Sequence, residues 1–167
     1  DPNTPKEVLK KLSKDEDWDV RNSVTKNTSI PVDILIEWSK SEYSSVKQNV
    51  AINPNTPKEI LIKLSEDEDE NVRMFVALNP NTPIDILIKL SKDKDSSIRY
   101  NVAKNLKIPS DILEILSEDN KTEVRRSIAW NPKTPTNILI KLSEDLEWEI
   151  RNEVARNFNT PIETLIK

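Results

Sequence analysis

The chain has 167 residues, carries a formal net charge of −4, and contains no cysteine, histidine or glycine. These missing residue types exclude disulfides, Cys/His zinc sites, thiol or imidazole catalysis and glycine-rich phosphate loops. A net negative charge also argues against broad binding to nucleic acid or to an anionic membrane. We therefore expect no cofactor, no metal and no membrane contact. The absence of cysteine leaves the compartment open, with the cytoplasm favoured.

Seven prolines recur at intervals of 26 residues, each inside a near-copy of one motif. They are Pro5, Pro31, Pro57, Pro83, Pro109, Pro135 and Pro161. Self-similarity at a fixed period is typical of a stacked array in which each repeat contacts mainly its neighbours. The repeats begin at residues 1, 27, 53, 79, 105, 131 and 157, and the last is partial. We expect one repeat domain over residues 1–167, cut from a longer protein.

The first helix of each repeat is predicted to begin at the proline. In the third repeat Thr56 is a suitable N-cap, and Glu59 completes a capping box. Ile60, Leu61 and Leu64 then lie on one apolar face. An isoleucine row lies off this face, where neighbouring first helices should cover it. Its members are Ile36, Ile62, Ile88, Ile140 and Ile166.

A second helix follows an acidic loop such as residues 66–69, whose charge favours a helix N-terminus. Its predicted core in the third repeat is Val72, Val76 and Ala77. It must end at Asn79, because a residue before proline is pushed out of the helical region. Since the chain has no glycine, asparagine is expected to adopt the left-handed conformation there. The sequence thus predicts an all-α solenoid of two-helix repeats, about six and a half of them.

The motif Asp-x-x-x-x-Val-Arg-x-x-Val-Ala, from Asp67 to Ala77, resembles the second helix of HEAT-type repeats. The whole repeat, Asn-Pro-Asn-Thr-Pro…Leu-Ser…Val-Arg…Val-Ala, is similar to the variant leucine-rich repeats of prokaryotes, and the resemblance covers the entire chain. The repeat is somewhat longer than is usual in that family, so we expect a full α-helix as its second element. Both resemblances imply a right-handed superhelix with a concave and a convex side. Neither implies one function.

A basic column recurs in the second helices and could line an anionic groove. Its members are Arg21, Lys47, Arg73, Arg99, Arg125 and Arg151. We favour a structural ladder in which each cation pairs with an aspartate of its own or the adjacent repeat, as the HEAT resemblance implies. In the second repeat Lys47 stands in place of arginine and Ser41 in place of aspartate. We interpret these two changes as the weakening of both members of one ion pair. The acidic loops are interpreted as helix caps and not as calcium sites, because an EF-hand loop needs a glycine.

The repeats differ most at outward positions of the second helices. The candidate partner-binding residues there are Ile52, Met74, Leu78, Tyr100, Arg126 and Trp130. Tyrosine, tryptophan, methionine and arginine are enriched at the centres of protein interfaces. We therefore predict a monomeric, non-enzymatic module that binds a protein or peptide along the concave face of the second helices. No catalytic residue is assigned, because carboxylates recur in every repeat instead of forming one unique pair.

Other interpretations stay open. The last residue of each second helix could tuck under the next repeat, or the variation could be neutral on a solvated face. A HEAT-like nucleic-acid binder or DNA lesion-recognition protein would use Tyr100, Arg126 and Trp130 around a flipped base. Glu123 and Glu149 interrupt the basic face that such a protein would need. A structural spacer between other domains would use none of these residues.

Overall fold

Within residues 3–165, which the computed structural model describes, the chain forms 13 helices and no strand. The first helices of the repeats are α1 (Lys6–Leu12), α3 (Val32–Trp38), α5 (Lys58–Leu64), α7 (Ile84–Leu90), α9 (Ser110–Leu116), α11 (Thr136–Leu142) and α13 (Ile162–Leu165). The second helices are α2 (Trp18–Thr25), α4 (Ser44–Ile52), α6 (Glu70–Leu78), α8 (Ser96–Lys104), α10 (Thr122–Trp130) and α12 (Trp148–Arg156). The prediction of an all-α array of two-helix repeats is confirmed.

The chain divides into two compact bodies, which we call the N-terminal half (Asp1–Ile86) and the C-terminal half (Leu87–Lys167). In the N-terminal half α4 packs between α2 and α6, and in the C-terminal half α10 packs between α8 and α12. First helices pack onto the second helices beside them, as α5 does on α4 and α6 and α11 does on α10 and α12. Each half therefore has a layer of second helices covered on one side by first helices.

The core of each half lies between these two layers. Leu61 of the first helix is fully buried, as are Val72, Val76 and Ala77 of the second helix. These are the positions that the helical periodicity predicts to be buried. The second helices reach 9 residues, except for α2 with 8, so they are full α-helices as expected.

The capping predicted for the first helices is wrong. Helix α5 begins at Lys58, with Pro57 as its N-cap residue and no side-chain cap bond. The Thr56 hydroxyl donates instead to the carbonyl of Val50 in the last turn of α4, at 2.5 Å. The threonine therefore ties the loop back to the preceding helix and satisfies one carbonyl that a helix end leaves unpaired.

Thr134 makes the same contact in the C-terminal half, where its hydroxyl donates to the Ile128 carbonyl at 2.6 Å and the residue is fully buried. We expect Thr134→Val to lower the free energy of unfolding by about 1 kcal/mol, because the shape is kept and one hydrogen bond is lost. Buried Ile30 and Ile108 occupy the equivalent positions in two other repeats, so the loss should be modest. Urea denaturation measures it. A loss above about 3 kcal/mol would mean that this bond holds more than one loop.

The predicted left-handed asparagine is also wrong. No described residue between 3 and 165 has a positive φ, and Asn79 is extended, with φ −67° and ψ 127°. Its side-chain amide donates to the carbonyls of Ala51 at 2.6 Å and Asn53 at 2.9 Å, which lie on either side of the boundary between the two preceding repeats. Its side-chain oxygen accepts the N–H of Asn81 at 2.8 Å. The asparagine side chain therefore links its repeat to the earlier ones by hydrogen bonds.

A serine follows each of the first helices from α1 to α11, and it is buried in all but the last of these. Ser65 donates from its hydroxyl to the Ile62 carbonyl at 2.6 Å. The same bond to the third residue before it recurs at Ser13, Ser39, Ser91, Ser117 and Ser143. The serine thus satisfies a free carbonyl at the end of the helix.

The predicted ladder of ion pairs forms at Arg99 and Arg125 of the basic column. Arg99 binds the Asp119 carboxylate through Nε at 2.6 Å and Nη2 at 2.9 Å. Arg125 binds Asp145 in the same two-pronged way, at 2.8 Å and 3.1 Å. The Nη1 group of Arg125 donates to the backbone carbonyl of Asp119 at 2.8 Å. Each of these arginines therefore joins the loop of its own repeat to the aspartate of the following one.

The predicted match between Lys47 and Ser41 is wrong. Lys47 pairs with Asp67 of the following repeat, with 2.5 Å between Nζ and Oδ2. Because the ladder runs to the following repeat, Ser41 stands where a carboxylate partner of Arg21 would be. Arg21 binds two backbone carbonyls of its own loop.

The acidic loops cap α2, α6 and α8, as predicted, whereas α4, α10 and α12 have no side-chain cap bond. The Asp69 carboxylate accepts the backbone N–H groups of Asn71 at 2.8 Å and Val72 at 3.4 Å. Asp17 and Asp95 cap α2 and α8 in the same way.

In the described part of the chain, no group of three or more His, Cys, Asp or Glu residues is placed to hold a metal ion. Across residues 3–165 no helix has the length and apolarity needed to cross a membrane.

Candidate binding surface

The ends of neighbouring second helices lie side by side in the C-terminal half. The side-chain amide of Asn131 donates to the Ala103 carbonyl near the end of α8, at 2.7 Å. Asn157 donates in the same way to Ala129 near the end of α10, at 2.7 Å. These bonds hold α8, α10 and α12 parallel and in register. Their last residues therefore form one row, which consists of Lys104, Trp130 and Arg156.

The N-terminal half contains three of the predicted binding residues. Ile52 and Leu78 are the last residues of the packed helices α4 and α6, and their exposed fractions are 38% and 36%. Met74 lies one turn earlier on α6 and is only half-buried. Two aliphatic side chains at the helix ends are thus open to solvent, while Met74 contributes less surface than the helical wheel predicts.

The C-terminal half contains the other three. Trp130 is 55% exposed at the end of α10. Tyr100 on α8 is half-buried, and the ammonium group of Lys104 lies 5.2 Å from the centre of its ring, within cation–π range. Arg126 lies one turn before Trp130, and 55% of its side chain is exposed. These three residues lie on the adjacent helices α8 and α10.

Arg126 also holds a buried carboxylate in place. Its Nε and Nη2 atoms donate to Glu153 Oε1 on α12, at 3.2 Å and 3.0 Å. Only 7% of Glu153 is exposed, and a carboxylate removed from water needs such a partner. Part of the Arg126 guanidinium therefore serves the packing of α10 against α12, and more than half of its side chain remains at the surface.

An open cleft of about 310 Å³ lies beside Trp130. Its walls are Trp130, Pro132, Glu153, Arg156, Asn157 and Phe158. Phe158 is fully exposed to solvent and is the second aromatic residue of the lining. Sequence reasoning left Phe158 without an assignment. The available signal was that this phenylalanine takes the second position of its repeat, where proline stands in the preceding one.

The isoleucine row of the first helices is the competing apolar surface. Ile36, Ile62 and Ile140 are 40%, 42% and 45% exposed, and Ile88 is half-buried. The prediction that neighbouring first helices cover this row is therefore wrong for the first three, because these helices pack on the second helices and leave their outer sides to solvent. Ile166 lies outside the described residues.

No protein-family model matches the chain, and no curated protein matches its sequence. Among solved structures, the chain is similar to a leucine-rich repeat variant with a novel repetitive structural motif, at 28% identity and a TM-score of 0.71. The match covers 98% of this chain, which spans 65% of the length of that protein. Two engineered proteins match 96% of this chain at 19% and 20% identity, with TM-scores of 0.58 and 0.56, and these show the fold alone. The resemblance to the variant leucine-rich repeats is thus confirmed, and the chain is an α-helical repeat protein similar to the leucine-rich repeat variant.

Proposed function

We propose that this chain is a non-enzymatic binding module, which takes up a protein or peptide segment across the exposed ends of its second helices. The observation that carries the proposal is the cleft lined by Trp130 and Phe158, two exposed aromatic side chains beside the buried carboxylate of Glu153. Exposed aromatic residues around a concave site are typical of the energetic centres of interfaces.

Trp130 offers a substantial gain on binding. A fully buried tryptophan removes up to about 250 Å² from water, and burial contributes about 25 cal/mol per Å². Covering the exposed half of Trp130 would therefore contribute about 3 kcal/mol. Association costs more than this in lost motion, about 4 kcal/mol at least. A partner must therefore make further contacts along the second helices, and a segment lying across several helix ends does so.

The test compares the two exposed apolar surfaces of the C-terminal half. Peptides are selected from a random library against the wild-type protein, and their affinities are then measured for Trp130→Ser and Ile140→Ser. We expect Trp130→Ser to weaken binding by about tenfold or more, which is the loss seen at interface hot spots. Ile140→Ser removes a side chain of similar exposure from the first helix α11 and should change affinity less than about twofold.

Thermal unfolding of both variants serves as the control for folding. If the selected peptides lose affinity with Ile140→Ser and keep it with Trp130→Ser, the first helices form the binding surface and the proposal is wrong.

A further inference from the structure

Basic and acidic side chains lie at opposite edges of the C-terminal half. The edge where the second helices end consists of residues 104–109, 130–135 and 156–161, which contain no aspartate or glutamate. We call it the basic edge, and its cations are Lys104, Lys107, Lys133 and Arg156. The edge where the second helices begin includes residues 118–123 and 144–149, in which carboxylates dominate. The net charge of the chain conceals this separation.

Two of these cations flank the exposed tryptophan. Lys104 and Arg156 end the helices on either side of α10, so they lie at the same level as Trp130 in the row. The ammonium group of Lys104 lies over the Tyr100 ring, and this contact leaves the charge able to pair with an anion. Arg156 lines the cleft and forms no hydrogen bond or ion pair with any described residue. The cleft is thus a largely apolar site with Arg156 in its wall, and Lys104 lies on the other side of Trp130.

We propose that the basic edge binds an acidic peptide segment whose central apolar side chain enters the cleft between Trp130 and Phe158. This inference rests on the proposed function and adds the chemistry of the partner. Packed helices lie about 8–10 Å apart, and an extended peptide advances about 3.3 Å per residue. Carboxylates about three residues before and after the apolar side chain would therefore reach Lys104 and Arg156.

The charge distribution favours a peptide over nucleic acid. The charge of Arg126 is taken up by Glu153, so few cations are available across three repeats. The acidic edge begins only about 13 Å away along a 9-residue second helix, close to one Debye length, and would repel a continuous phosphate backbone. A peptide with isolated carboxylates meets the cations without this penalty, and its apolar residue matches the aromatic walls.

The experiment uses a capped peptide with phenylalanine at its centre, glutamate at both ends and pairs of serine between them. Binding is followed by titration monitored by NMR at low salt. One control peptide carries lysine in place of both glutamates, and another carries alanine in place of phenylalanine. We expect each control to bind about three- to tenfold more weakly, because it loses either the two ion pairs or the anchor. A short oligothymidylate is titrated as a separate probe.

Two protein variants locate the site. Lys104→Glu combined with Arg156→Glu should weaken binding of the glutamate peptide by about tenfold, because both attractions become repulsions. Lys94→Glu combined with Lys121→Glu changes the net charge equally at the acidic edge, and both lysines are exposed. This control should weaken binding clearly less than the Lys104/Arg156 variant does, and the remaining effect should disappear when the titration is repeated at about 0.15 M salt, where the Debye length is about 8 Å.

Equal binding of the lysine and glutamate peptides would overturn the inference, as would an unchanged affinity in the Lys104/Arg156 variant. Tighter binding of the oligothymidylate through the same residues would also overturn it in favour of nucleic acid. In each of these cases the proposed binding module still holds if Trp130→Ser weakens the binding of the library-selected peptides. If Trp130→Ser leaves the affinity of those peptides unchanged as well, the proposed function itself is wrong.

Discussion

Replacing Asn79 with alanine should lower the free energy of unfolding by about 3 kcal/mol. Asn79 is fully buried, and its side chain makes three hydrogen bonds, two to carbonyls of earlier repeats and one within its own loop. The substitution leaves the carbonyls of Ala51 and Asn53 without this donor in a site closed to water. An unsatisfied buried group costs about 1–3 kcal/mol, which is more than the net value of the bond itself.

Asn81→Ala is the matched control for this prediction. Asn81 also donates to the preceding repeat, at 2.6 Å from the Pro54 carbonyl, but it is exposed and water can replace it. Asn81→Ala should therefore lower the free energy of unfolding by less than about 1 kcal/mol. Urea denaturation of the wild type and both variants gives the comparison. If both substitutions lower the free energy of unfolding by similar amounts, the assignment of Asn79 as the main link between repeats is wrong.

Replacing Asp145 with alanine should cost about 2 kcal/mol at neutral pH, because it removes a two-pronged ion pair whose side chains are only 10% and 17% exposed. The Arg125 guanidinium holds the pKa of Asp145 below its ordinary value of 3.8. A carboxyl whose pKa is lowered by folding stabilises the fold above its unfolded pKa, and this stability is lost as the pH falls through the folded pKa. The difference between wild type and variant should therefore shrink below about pH 4.

Glu144→Ala provides the control in the same loop, since Glu144 is exposed and its removal should change stability by less than about 0.5 kcal/mol. Unfolding free energies are measured in urea from neutral pH down into the acid range. A loss for Asp145→Ala that stays constant throughout this range would show that the ion pair does not stabilise the repeat interface.

The repeat period made the helix pairs and their core predictable. Leu61, Val72 and Val76 recur at helical spacing in repeat after repeat, and burial follows directly from that spacing. The roles of Thr56 and Asn79 were predicted wrongly for one reason. Local capping rules assign such side chains to their own helix end, whereas here they bind the preceding helix or repeat. Contacts between repeats depend on how the repeats stack, which the sequence of one repeat does not contain.

The candidate site was predictable only where it lies on a helix. The helical wheel identified Ile52, Leu78 and Trp130 as outward positions, and the structure exposes all three. It overestimated the exposure of Met74 and Tyr100, both of which are half-buried. It could not find Phe158, which lies in a loop outside any helical period.

The central claim is that partners dock at the ends of the second helices around Trp130. The four tryptophans supply separate reporters, because Trp148 begins a second helix at the opposite edge of the C-terminal half, and Trp18 and Trp38 belong to the N-terminal half. The most direct measurement follows their four indole N–H signals by NMR during titration with a library-selected peptide. The account predicts that the Trp130 signal shifts and the other three stay in place. A stationary Trp130 signal, with shifts at Trp38 or Trp148, would contradict it.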